Sequence, residues 1–134
     1  MTPKTGERLF AREYGKVLFG IAQDDLESAK GLAKSGLGRP ETVIFQCQQA
    51  IEKALKAVLC AKLVPVPLIH DFGALVAKMP DGVEPPYSYG LSRYNDFAGI
   101  LRYERGHTKV TQADIDAALQ VAAEVISWAA VETK

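Results

Sequence analysis

The segment ETVIFQCQQAIEKALKAVLCAKL, Glu41–Leu63, decides the fold. No glycine or proline interrupts it, and most of its residues are strong helix formers. Ile44, Cys47, Ile51, Ala54, Leu55 and Val58 fall on one face at helical spacing, and Gln49, Glu52, Lys53 and Lys56 fall on another. Glu52 and Lys56 stand four apart in the favourable order, which contributes about 0.3 kcal/mol. The run VPVP, Val64–Pro67, stops the helix, because proline lacks an amide donor and restricts the residue before it.

Working outward, helices dominate. Phe10, Tyr14, Val17, Leu18, Ile21, Leu26, Ala29 and Leu32 recur every three to five residues, which predicts a first helix over about Glu7–Ser35. SGLGRP, Ser35–Pro40, ends it with two glycines and supplies a proline for the first turn of the next helix. HDFGALVAKM, His70–Met79, reads as a short helix, and PDGVEPP, Pro80–Pro86, as turns. A further helix is expected over about Tyr87–Leu101, with Gly90 and Gly99 weakening its ends. TQAD, Thr111–Asp114, resembles a capping box and opens the last helix. That helix carries two apolar stripes. One is Ile115, Ala118, Leu119, Ala122, Ile126 and Ala129, and the other is Val121, Val125 and Trp128. Two stripes need two neighbours: either two helices of the same chain, or one helix and a partner subunit. No strand of alternating pattern with hairpin turns is visible, and no internal repeat. The expectation is an all-α, up-and-down four-helix bundle with a short extra helix, one domain over residues 1–134.

Composition narrows function mainly by exclusion. Sixteen basic residues balance sixteen acidic ones over 134 residues, so net charge points to no partner. Residues 1–67 hold ten basic and seven acidic residues, too mild a bias for a polybasic tail. Cys47 and Cys60 lie thirteen positions apart on one helix. At 1.5 Å per residue that is roughly 20 Å, too far for a disulfide, and it fits a reducing compartment. No Cys/His set has zinc-site spacing, so no metal is expected, and no cofactor loop of the GxxxxGK or GxGxxG kind is present. The charged N-terminus and the absence of a long apolar run predict a soluble, cytoplasmic protein.

Histidine is the scarce resource. His70, in PLIHDF, stands just before the short helix, where a cap or packing role competes with a role as ligand or base. His107 lies in RYERGHTK, Arg102–Lys109, beside three cations. On a continuous helix Arg102 and His107 would diverge by about 140°. Gly106 permits a bend that brings guanidinium and imidazole together. Such a pair can bind a phosphodiester and move a proton near neutral pH, which suffices for metal-independent RNA cleavage. The polar face of the central helix reads either as a phosphate-binding groove or as solvated surface.

FQCQQAIEKALKAVL, Phe45–Leu59, resembles the central helix of the HEPN family. PLIHDFGAL, Pro67–Leu75, is similar to that family's proline turn and His-Asp-Leu helix start, with Phe72 in place of leucine. AQDDLESAKGLAKSG, Ala22–Gly36, is similar to its first helix, and RYERG, Arg102–Gly106, to its Arg-Tyr element before the last helix. The resemblance implies a helical bundle that pairs as a homodimer. It implies RNA or nucleotide binding, often as a toxin-type protein encoded beside a minimal nucleotidyltransferase. It also implies a catalytic Arg-x(4–6)-His motif, matched by Arg102 and His107, with one copy per subunit at the dimer cleft. Arg105, Lys109 and Lys53 are the expected phosphate or RNA contacts. One toxin branch has a tyrosine two residues after the histidine, where this chain has Lys109. Three readings stay open: a binding protein for RNA or nucleotide, a metal-independent endoribonuclease using Arg102 and His107, and a non-catalytic dimeric interaction module.

Overall fold

A computed structural model describes residues 2–95 and 110–134. Helix α1 spans Tyr14–Ser35 and α2 spans Pro40–Ala61. The short α3 covers Phe72–Ala77, a 3₁₀ segment covers Ser88–Tyr94, and α4 covers Gln112–Glu132. The all-α expectation holds. One departure is a two-residue antiparallel ladder of β1 (Glu7–Arg8) with β2 (Val66–Pro67), in register Glu7↔Pro67 and Arg8↔Val66. It moves the start of the first helix from Glu7 to Tyr14, because residues 7 and 8 pair with a strand about sixty positions away. Leu68 N–H extends the pairing to the Gly6 carbonyl at 2.8 Å, and Lys78 Nζ reaches Glu7 Oε2 at 3.0 Å.

The central element is α2, packed by α1 and α4 along most of its length and by α3. Its core face holds Ile44, Ile51, Leu55, Val58 and Leu59, all fully buried, joined by Phe72, Leu75 and Leu91 from the far side. Much of the periodic stripe expected for α1 faces the core, with Leu26 and Ala29 buried and Phe10, Leu18 and Leu32 packed against it, but the closest approach to α2 is made by small residues. Gly15, Ala22 and Ala29 are buried at intervals of seven, with Leu26 between them, while Tyr14, Val17 and Ile21 stay exposed. Gly15 shows why: a Cβ there would stand 2.8 Å from the Ala57 carbonyl oxygen, so only glycine lets the two backbones approach this closely.

The ends obey local chemistry. Gly36 closes α1 in the left-handed region (φ 67°), its N–H returning to the Leu32 carbonyl. Pro40 opens α2 at its first turn, as expected. Thr111 and Asp114 form a reciprocal capping box at the start of α4: Asp114 N–H donates to Thr111 Oγ1 at 3.1 Å, and Thr111 N–H to Asp114 Oδ2 at 2.9 Å. That backbone hydrogen bond, foremost, holds the Asp114 carboxyl below the usual carboxylate range.

One expectation changes, and one open alternative is decided. The helix expected from Tyr87 is 3₁₀ in its described part, after Tyr87 and Ser88 adopt left-handed backbone (φ 66° and 44°). Its remainder, beyond Asn95, lies outside the described residues. The second stripe of α4 needs no partner subunit, because Val121 and Val125 are buried within the one chain and Trp128 is half-buried against the same core.

Candidate functional site

The polar residues of α2 divide into two charged groups with different geometry. Lys53 Nζ sits 2.7 Å from Asp25 Oδ2 of α1, both side chains partly buried. This pair closes on itself, so the ammonium expected to meet phosphate is already held by a carboxylate.

Glu52, the preceding residue, points toward α3. Its side chain is only 5% exposed. Lys56 Nζ lies 3.3 Å from its Oε2. His70 Nδ1 lies 2.9 Å from Oε1 and 3.0 Å from Oε2. The imidazole itself is 77% exposed. A carboxylate offers acceptors only, so Nδ1 carries the hydrogen and donates it. The neutral ring then has its lone pair on Nε2, facing solvent. A buried carboxylate thus fixes the tautomer and orientation of an exposed histidine.

The turn that carries His70 is fastened on both sides. Upstream lies the β1–β2 pairing. Downstream, Asp71 caps α3, accepting from Gly73 N–H at 2.8 Å and Ala74 N–H at 3.3 Å. Asn95 Nδ2 donates to the same Asp71 oxygen at 3.2 Å, and Asn95 Oδ1 accepts the Phe72 N–H at 2.7 Å. Gln48, one turn before Glu52 and buried, donates through Nε2 to the carbonyls of Tyr94 (3.0 Å) and Asn95 (3.1 Å). Gln48, Glu52 and Lys56 therefore form one polar ridge, at i, i+4 and i+8, against the turn before α3 and the end of the 3₁₀ segment.

Two sequence expectations are revised here. The cap of α3 is Asp71, while His70 binds Glu52. Glu52 belongs to a buried contact and not to a solvated face. The available signal was the ridge Gln48–Glu52–Lys56 bordering the apolar face, with a histidine ahead of the next helix; nothing local said the two would meet. Arg102, Arg105, His107 and Lys109 lie outside the described residues, so the expected motif has no geometry here. The chain leaves the described fold at Asn95, whose side chain holds the residue after His70.

The thiols of Cys47 and Cys60 are buried on α2, and burial pushes them up to about 12 and about 11. They are inert packing groups at neutral pH. Among the described residues no His/Cys/Asp/Glu group is arranged to hold a metal ion, and no helix is long and apolar enough to cross a membrane.

A family model described as HEPN domain matches residues 16–133, nearly the whole chain. No curated protein and no solved structure matches it.

Proposed function

Because this chain belongs to the HEPN domain family, whose members are generally RNA-binding or RNase-related, we propose that it binds RNA as a homodimer through the segment Arg102–Lys109. The observation that carries the reading is that the family model matches residues 16–133, a span that includes Arg102–Lys109, and the Arg-x4-His spacing of Arg102 and His107 in the sequence supports it. Arg102 supplies a planar fork of donors for phosphate oxygens, and Arg105 and Lys109 add positive charge. Lys53 is the weakest member of the phosphate set, because a contact there competes with Asp25. Pairing of two copies doubles the local charge of a chain that is neutral overall. The expected protein partner is a minimal nucleotidyltransferase, with this chain as the toxin-type component.

Cleavage is the second reading, favoured by the histidine four residues beyond the arginine. There His107 gives a proton to the leaving oxygen. The binding test is fluorescence anisotropy with a single-stranded RNA oligonucleotide and sedimentation for the dimer. Arg102→Ala combined with Arg105→Ala should weaken affinity at least tenfold and flatten the salt dependence by about two phosphate contacts. Unchanged affinity removes the reading. Metal-free cleavage by the unaltered protein, lost in His107→Ala, is the outcome the second reading requires.

A further inference from the structure

We infer that a cavity at one end of the bundle, rimmed by Arg12, Lys16 and Lys134, binds the terminal phosphate of a phosphate monoester. The site draws on none of the residues Arg102–Lys109, and it holds whether or not the proposed RNA binding does.

The cavity measures about 280 Å³ and is lined by Arg12, Glu13, Lys16, Ala61, Thr133 and Lys134. Three segments meet there: the turn that opens α1, the end of α2 and the end of α4. The close crossing at Gly15 sets the first of these. Its backbone lies against the last turn of α2, at Ala57 and Ala61, which carries its neighbours Arg12 and Lys16 to the rim. The end of α4 is fixed by the buried Thr133, whose hydroxyl donates to the Ala129 carbonyl at 2.7 Å, and Lys134 follows it.

These cations are unlike most others in the chain. Lys30, Lys53, Lys56, Lys62 and Lys78 each stand within 3.3 Å of a carboxylate oxygen. Among the described residues the side chains of Arg12, Lys16 and Lys134 have no hydrogen bond, ion pair or ring contact. They are not needed as helix caps either. The carbonyls of Val58, Leu59 and Cys60 accept the N–H groups of Lys62, Val64 and Leu63, and the Ala129 carbonyl accepts that of Thr133. Glu13 is the one carboxylate side chain on the lining, and the nearby Glu132 is held by Lys62 at 3.2 Å. Three cationic side chains against one anionic side chain leave a surplus of two positive charges. A phosphate monoester carries about −1.5 to −2 at neutral pH, whereas a backbone diester carries a single charge, so the monoester matches the surplus. Arg12 offers a planar fork to two of its oxygens, and the lysines act as point charges. Pockets that enclose a whole small molecule run from about 300 to 1,000 Å³. A cavity of about 280 Å³ therefore takes the phosphate group and leaves the rest of the ligand outside. The 5′ end of an RNA and a free mononucleotide share this chemistry.

The test uses the full-length chain and two matched pairs of ligands. One pair is a 3′-fluorescein oligoribonucleotide with a 5′-phosphate or a 5′-hydroxyl, followed by anisotropy. The other is AMP against adenosine, followed by calorimetry. The phosphate should tighten binding by about tenfold in at least one pair. Arg12→Ala combined with Lys16→Ala should erase that preference at an unchanged thermal midpoint, since both side chains are exposed. Lys134→Ala alone should reduce it by about threefold, and Glu13→Gln should raise it by about twofold, a gain that a structural role does not produce. Lys34→Ala removes an exposed cation at the other end of α1 and should leave it intact. A preference confined to the oligonucleotides identifies an RNA end as the source, and one confined to AMP identifies a free nucleotide. No preference in either pair overturns the site. So does a preference that survives Arg12→Ala with Lys16→Ala, or one that Lys34→Ala diminishes equally. The proposed function is read from a different quantity: Arg102→Ala with Arg105→Ala should weaken both oligonucleotides alike and leave their ratio unchanged, so either reading can fail without the other.

Discussion

Glu52 and Lys53 are consecutive residues of one helix, and each forms a charged contact with a distant element. Lys53 reaches Asp25 on α1, 28 positions away, and Glu52 reaches His70, 18 positions away. The two contacts differ in what is left over. The Lys53–Asp25 pair consumes both charges inside a helix–helix seam. The Glu52–His70 pair uses one nitrogen of a ring that has two and leaves the other in solvent. A charged contact marks a functional candidate when it orients a group without exhausting it; a contact that exhausts both partners marks packing.

That contrast can be broken in order of size. The largest effect concerns the apolar side of α2, where both thiols are suppressed. Cys47, pushed up to about 12, should hold roughly a thousandfold less thiolate at neutral pH than an exposed cysteine. Alkylation by iodoacetamide at pH 8 should therefore follow unfolding; rapid labelling in native buffer would contradict the burial. Next, Glu52→Ala leaves Lys56 without its partner in a half-buried place and frees the turn at His70. A loss of about 2 kcal/mol in urea unfolding is expected. Asp71→Ala removes the α3 cap and the Asn95 contact, at about 1 kcal/mol. Lys53→Ala should cost about 0.5 kcal/mol, shrinking further in 1 M salt. If Lys53→Ala destabilises more than Glu52→Ala, the ranking of the two pairs is inverted.

A pH test adds the sign. Asp114 has its folded pKa held low by the Thr111 N–H, so its share of stability is present above the ordinary aspartate range. That share is lost as pH falls through the lowered value. Asp114→Asn should flatten that part of the acid unfolding curve and leave neutral-pH behaviour of the Glu52–His70 turn unchanged.

Much of the framework was legible. Glu41–Leu63 predicts a helix that the structure places at Pro40–Ala61, and TQAD predicts the capping box that opens α4. Both rest on local physics: periodicity, a proline tolerated in the first turn, a hydroxyl and a carboxylate three residues apart. The face of α1 was read less well. Large residues such as Val17 and Ile21 carry the periodic signal, yet the close crossing at Gly15 selects small ones and leaves those two exposed. The start of α1 was missed for a related reason, since residues 7 and 8 answer to Val66 and Pro67.

By itself, then, the sequence determined that this protein is a helical bundle around one long central helix, where that helix and the last one begin, and to which family the chain belongs. Capping, proline geometry and apolar spacing act within a few residues, so they can be read from the string. Only the tertiary structure decided that Glu52 turns inward to His70 while Lys53 turns to Asp25. Consecutive helix residues point about 100° apart, and which side becomes a buried clasp depends on the elements that pack there, which lie far along the chain.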